Sequence, residues 1–143
     1  MNALRPPQVP DGFEPMPTRG PFTDINGPIW YLPSDGGVST KFGLYTEERH
    51  TNALGFVHGG MLSTALDSSM ARTVFERHDC RLVTLQLNTN FISAVFKGRW
   101  SEIDVQFVGE TNSDVRMHAK LTSRKMVCVE ADAVYRLFKS SKN

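Results

Sequence analysis

All eight prolines of this 143-residue chain lie within its first 33 positions, from Pro6 to Pro33, and none follows. Proline fixes φ near −65° and removes a backbone donor, so it is excluded from helix interiors and central strands. Residues 1–27 are therefore expected to form an extended or irregular arm that wraps the domain surface or serves as a lid or oligomer contact. Residues 28–143 carry the domain itself, and a chain of this size buries enough surface to fold without disulfides or metals.

Within the domain, Ile29 to Leu32 and Val38 to Thr46 are short β-prone runs separated by Pro33-Ser34-Asp35-Gly36-Gly37, which predicts a hairpin. From Met61 to about Arg77 the pattern turns helical, with Leu62, Ala65, Leu66, Met70, Thr73 and Val74 on one face. Small residues crowd this helix and let it lie close against a sheet. Leu82 to Phe91 then alternates, with Val83, Leu85, Leu87 and Phe91 on one face and Thr84, Gln86, Asn88 and Asn90 on the other. Turns at Lys97-Gly98-Arg99 and Gly109 to Asp114 separate the runs Ser101 to Val108 and Val115 to Ser123, and Met126 to Phe138 completes the pattern. Two strands, a helix and four meandering strands make an α+β domain: one long helix on one antiparallel sheet. The open edges of such a sheet need covering or pairing, which an edge-to-edge homodimer would provide.

Composition narrows the function classes. Sixteen Lys and Arg against 15 Asp and Glu leave a formal net charge of +1. No block of like charge offers the phosphate neutralisation that nucleic-acid or anionic-membrane binding requires. The longest stretch free of Asp, Glu, Lys and Arg, His50 to Leu66, is too short and too polar for a membrane crossing. Cys80 and Cys128 form neither a disulfide framework nor a Cys-x-x-Cys site, and the start Met-Asn-Ala-Leu-Arg-Pro-Pro lacks a signal-peptide core, so a reduced cytoplasmic home is expected. His50, His58, His78 and His118 share no zinc spacing, and nucleophile elbows, phosphate loops and dinucleotide fingerprints are absent.

The chemistry concentrates in His50-Thr51-Asn52-Ala53-Leu54-Gly55-Phe56-Val57-His58-Gly59-Gly60 and the helix that follows. No Ser, Thr, Asp or Asn stands directly before Met61, so the first helical N–H groups are expected to be free. Glycines let a ligand approach the backbone, and the Gly59 or Gly60 amide at a helix N-terminus could hold a developing oxyanion. The plain alternative is a glycine-rich turn that merely starts a helix. Asp67 sits on the edge of the apolar face with no cation three or four residues away. There it could act as a general base toward water or as a nucleophile toward an acyl carbon, or be a solvated surface carboxylate.

This run, with an Asp nine positions after the second His, resembles the hotdog-fold acyl-CoA thioesterases of the phenylacetate-pathway (PaaI) and thioesterase-superfamily-member-2 type. The resemblance implies a hotdog domain over residues 28–143, a long helix wrapped by an antiparallel sheet, assembling as a homodimer or a dimer of dimers. It implies hydrolysis of an acyl- or aryl-CoA thioester to free acid and coenzyme A, with no metal and no cofactor beyond the coenzyme A of the substrate. Residue by residue, it makes the Gly59 amide the oxyanion donor, with Gly60 beside the substrate, and Asp67 the base or nucleophile. Asn52 would position water or thioester, and His58 would contact the carbonyl region or hold the loop. Thr84 falls where some relatives place a serine that orients the water. The resemblance also implies that Asn52, His58 and Gly59 of one subunit face Asp67 of the other. Lys97, Arg99, Arg124 and Lys125, in strand-end turns, could meet the coenzyme A phosphates. Rival readings are a hotdog hydratase or dehydratase and a non-catalytic acyl-CoA-binding hotdog module.

Overall fold

The helical spacing from Met61 is realised as a 20-residue helix, α2 (Gly59–His78), which buries Met61, Leu62, Ala65, Leu66, Ser69, Met70, Thr73 and Val74 along one stripe. The computed structural model describes residue 6, residues 8–17 and residues 20–139; the rest of the expected arm and the last four residues of the expected domain lie outside the described residues. Before α2 come β1 (Glu14–Pro15), α1 (Pro21–Asn26), β2 (Trp30–Tyr31) and β3 (Lys41–Tyr45). After it come β4 (Arg81–Phe91), β5 (Trp100–Glu110), β6 (Asp114–Ser123) and β7 (Met126–Phe138). All seven strands join one antiparallel sheet in the order β1-β2-β3-β5-β6-β7-β4, and α2 packs against β3 to β7. The α+β class, the single long helix and the hairpin of β2 with β3 agree with the sequence. No helix among the described residues is long and apolar enough to cross a membrane.

Three local expectations are corrected. The proline-rich arm contains a helix: Pro21 occupies the first turn of α1, where its missing N–H has no intrahelical partner to lose. The four last strands are not a simple meander, because among the described residues β4 pairs only with β7, at the far edge of the sheet. A helix of this length runs about 30 Å, enough to carry the chain across several strands before β4 begins. Third, the alternation of β4 is broken by a bulge between Thr84 and Gln86. The extra residue, Leu85, reverses which of the preceding side chains face inward. Val83 therefore pairs with Arg136 on the outer face, while Thr84 pairs with buried Tyr135 and Leu87 with buried Ala133 on the helix face. Val83 and Leu85 are about half exposed, at 46% and 50%.

The inward residues Phe42, Leu44, Ile103, Val105, Val115, Met117, Leu121 and Val129 form the core with the α2 stripe. Each large side chain buried in this way contributes about 1.5–3 kcal/mol relative to exposure. A second, smaller cluster joins Val9, Phe13 and Trp30 to Tyr45 and Trp100. It anchors the arm on the opposite side of β3, where Gly43 lies between inward Phe42 and Leu44. The Phe13 and Trp100 rings meet edge to face at 5.0 Å. A Cβ on Gly43 would stand 2.0 Å from Trp100 Cη2, so glycine is what lets the indole lie on the strand. Gly43→Ala is expected to displace that ring and lower stability by about 1–3 kcal/mol, as overpacking does. Urea denaturation of the variant checks this, and an unchanged midpoint would show that Trp100 is not fixed by β3.

Candidate active site

The loop leading into α2 is organised by the side chains of its own motif. Asn52 Oδ1 accepts hydrogen bonds from the Leu54 and Phe56 amides at 2.9 and 3.2 Å, and Gly55 takes a left-handed φ of 87°. A bridge between Thr51 and Val57 closes this turn. Asn52 therefore shapes the loop through its oxygen, while its amide NH2 has no partner among the described residues. His50 is buried: its Nδ1 accepts from the Glu47 amide at 3.0 Å, its Nε2 donates to the Asn26 carbonyl at 2.7 Å, and its carbonyl accepts from the His58 amide at 2.8 Å. Burial, the largest influence, lowers the His50 pKa from its ordinary 6.5. Arg49 donates to the neighbouring Ile25 and Gly27 carbonyls, so these two side chains bind the end of α1 to the loop.

The helix start is capped, contrary to the expectation from Met61 alone. α2 begins at Gly59, with His58 as N-cap, and His58 Nδ1 accepts from the Gly60 amide at 2.8 Å. A histidine nitrogen takes the place of the usual hydroxyl or carboxylate. A Cβ on Gly60 would stand 2.9 Å from that nitrogen, which explains the glycine. The Met61 and Leu62 amides bond to the His58 carbonyl. The Gly60 amide is thus occupied, and the Gly59 N–H remains without an acceptor among the described residues. Phe91 lies against Gly59, 3.3 Å from where a Cβ would be. A cavity of about 330 Å³ lined by Phe22, Arg49, His50, His58, Gly60 and Thr64 opens beside this helix end.

Asp67 is half-buried on α2, immediately after fully buried Leu66. Its Oδ1 accepts from Thr84 Oγ1 at 2.9 Å and from the Tyr135 hydroxyl at 2.8 Å, and Tyr135 also lies 3.0 Å from the Asp67 carbonyl oxygen. Oδ2 accepts nothing among the described residues. Tyr135 is fully buried, and burial first, then the charge of Asp67, raises its pKa above the tyrosine range, so the phenol stays a proton donor in its hydrogen bonds. Tyr135 escaped notice in the sequence. The available signal was a polar-tipped aromatic on the inward face of a strand otherwise filled by Val129, Ala131 and Ala133.

The structure therefore makes two clusters: Asn52, His58, Gly59 and Gly60 at the start of α2, and Asp67 with Thr84 and Tyr135 further along. Gly59 and Asp67 stand eight residues apart on one helix, an axial separation of about 12 Å. Within one chain the Gly59 amide and the Asp67 carboxylate cannot both touch one carbonyl group. Of the basic side chains in strand-end turns, Lys97 pairs with Glu48, whereas Arg99, Arg124 and Lys125 are exposed, the last two with left-handed φ of 54° and 63°. Among the described residues no three of His, Cys, Asp and Glu form a set that could hold a metal ion. Cys80 and Cys128 are free thiols, half-buried and buried.

Residues 54–131 match the family model of the Thioesterase superfamily. Over 131 residues, 90% of this chain and 97% of that protein, the sequence is 28% identical to "Putative esterase PA0474" of Pseudomonas aeruginosa. A mutant of the phenylacetic acid degradation protein PaaI from Thermus thermophilus superposes with a TM-score of 0.73 at 18% identity, covering 83% of this chain and 100% of that one. Zebrafish thioesterase superfamily member 2 gives 0.68 at 22% identity, covering 77% and 81%. At these identities the structural likeness shows the fold, which is the hotdog fold.

Burial of His50 predicts a pH-dependent stability. A pKa lowered on folding means that the unfolded chain binds the proton more readily, so the contribution of His50 is complete above about 6.5 and is lost as pH falls from there through the folded-state value. Stability should thus decline more steeply below pH 6.5 in the wild type than in His50→Gln, as thermal melts across about pH 5–8 would show. Parallel profiles would remove His50 as the source.

Proposed function

The chain belongs to the thioesterase superfamily, and from that premise we propose that it hydrolyses an acyl- or aryl-CoA thioester to the free acid and coenzyme A. The observation that carries this reading is the Asp67 carboxylate, with one oxygen held by Thr84 and Tyr135 and the other open. Two hydroxyl donors fix the carboxylate orientation and offset part of its desolvation. In the base route, Oδ2 takes a proton from water as the water oxygen attacks the thioester carbon. The tetrahedral oxyanion accepts from the Gly59 amide, the C–S bond breaks, and the leaving thiolate takes the proton back. In the nucleophilic route, Oδ2 itself attacks and the C–S bond breaks to release the thiolate. Water then hydrolyses the acyl anhydride left on Asp67, its oxygen going to the acid, the carboxylate being restored and a water proton neutralising the thiolate. Both routes use the same donors and the same carboxylate. His58 supports them indirectly, by capping α2 and so leaving the Gly59 amide as the outward-facing donor.

The separation of Gly59 from Asp67 along α2 supports a site built from two subunits, in which the Gly59 loop of one protomer faces Asp67 of its partner. An open edge suited to that assembly is present: among the described residues β4 bonds only to β7, and its exposed Val83, Leu85 and Phe91 would be covered by pairing. In this arrangement Asn52 keeps the loop in shape and turns its free amide toward the substrate. Exposed Arg99, Arg124 and Lys125 are candidates for the coenzyme A phosphates. The last two add an argument of their own, because left-handed turn positions without glycine are costly to keep for a hairpin alone.

Release of free thiol from an acyl-CoA panel tests the reaction. Asp67→Asn should lose about 10²- to 10⁴-fold in turnover while the fold persists. Near-normal turnover in that variant would end the assignment, and binding without thiol release by the wild type would favour a non-catalytic module.

A subunit-mixing experiment tests the shared site separately. Asn52→Ala and Asp67→Asn should each be nearly inactive alone. When the two are unfolded and refolded together, about half the dimers are mixed and each has one site intact, so about a quarter of all sites should recover. Mixed dimers without recovered turnover would overturn the shared site: Asn52 and Asp67 would then act within one chain or not act together at all.

A further inference from the structure

A second cavity, of about 630 Å³, opens between the latter half of α2, the start of β4 and the N-terminal arm. Two of its lining residues are chain neighbours of the carboxylate site: Ser68 follows Asp67 and Val83 precedes Thr84. The helix and strand supply Ala71, Phe75 and Leu82, and the facing wall is built by Met16, Pro17, Thr23 and Ile29 of the arm and its junction. Its volume falls within the range of about 300–1,000 Å³ typical of small-molecule sites. Two cations line it: Arg72 is neutralised by Glu76 at 2.7 Å, with its guanidinium 5.4 Å from the centre of the Tyr31 ring, and Arg81 is exposed at the start of β4. The apolar side chains between them, Met16, Ile29, Ala71, Phe75 and Leu82, suit an uncharged, apolar group, with Arg81 on the exposed side.

The arm wall is also fixed in place. Met16 donates its amide to the Ile29 carbonyl at 2.8 Å, β1 pairs with β2, and Ile29 is 3% exposed. Arg49 and His50 hold the far end of α1. A cavity with a rigid wall has a definite depth, and depth discriminates among homologous chains that differ only in methylenes.

We propose that this cavity receives the acyl group of the thioester, and that the N-terminal arm sets the acyl size, favouring apolar acyl groups much larger than acetyl. The arm wall lies outside the residues 54–131 that match the family model, so the matched segment does not by itself supply it. The proposal rests on the thioesterase reading, but its test separates the two.

The experiment measures kcat/KM for acetyl-, butyryl-, octanoyl- and dodecanoyl-CoA with the wild type and two filling variants, Ala71→Phe from the helix side and Met16→Trp from the arm side. Melting curves establish that each variant is folded. The wild type should prefer octanoyl- or dodecanoyl-CoA over acetyl-CoA. Each variant should lower the dodecanoyl-to-acetyl ratio of kcat/KM by about tenfold or more. An unchanged ratio in folded Ala71→Phe would overturn the cavity as the acyl site, and an unchanged ratio in folded Met16→Trp would overturn the arm as its wall. Absence of turnover on every thioester would instead defeat the hydrolase reading. The cavity is then judged by calorimetric binding of S-dodecyl-coenzyme A, a thioether that cannot be hydrolysed: weaker binding by about tenfold in both variants sustains the proposal, and equal binding overturns it.

Discussion

The burial of one helical stripe against one sheet governs where every functional group stands. α2 commits Met61, Leu62, Ala65, Leu66, Met70 and Val74 to the core, and this fixes its rotation and its slide along the sheet. Asp67 follows Leu66 directly, so it is carried to the rim of the core rather than into solvent. A carboxylate there is costly unless it is hydrogen-bonded, and hydrogen bonds to a charged group contribute about 1.5–3 kcal/mol each. Tyr135 from β7 and Thr84 from β4 provide them. The same helix also holds Gly59 at its first turn, and the distance between the two groups is a consequence of helical rise alone.

The second organising element is polar and lies in the loop before α2. Arg49 and His50 satisfy three successive carbonyls, those of Ile25, Asn26 and Gly27, which would otherwise be orphaned at the end of a short helix. The backbone of His50 in turn orders His58. The proline-rich arm and the loop that carries the candidate oxyanion donor are thereby joined through two adjacent side chains.

Much of this was legible in the sequence, and for physical reasons. The six residues assigned to the apolar face of α2 are all buried, because a period of about 3.6 sustained over several turns has few competing explanations. Met126 to Phe138 forms a strand over the expected span, since a polar turn bounds its start. The errors share a cause: each depended on a partner distant in sequence or on a single local dihedral. Proline at the first helical position looks like a breaker until the helix after it is seen. His58 is an unusual cap, and its nitrogen is recognisable only once the Gly60 amide points at it. Tyr135 was invisible because its role depends on Asp67, 68 positions earlier. The order of the sheet likewise depends on long-range pairing that no window of residues contains.

The bulge at Leu85 gives β4 a property that its composition conceals. Strand faces are a matter of parity, and one unpaired residue inverts the parity of everything before it relative to everything after it. Were the same eleven residues paired with β7 in unbroken alternation, with Leu87 kept inward, the chain before Gln86 would turn over. Val83 would then point at the helix and Thr84 away from Asp67, leaving the carboxylate with tyrosine as its lone hydroxyl donor. The converse is less intuitive. Removing Leu85 outright would restore plain alternation while leaving Thr84 opposite Tyr135 and Leu87 opposite Ala133, so a homologue one residue shorter here could keep the same support beneath its carboxylate. Spacing in this strand therefore carries meaning only together with the pairing, and a gap in its sequence is no measure of a loss in its site.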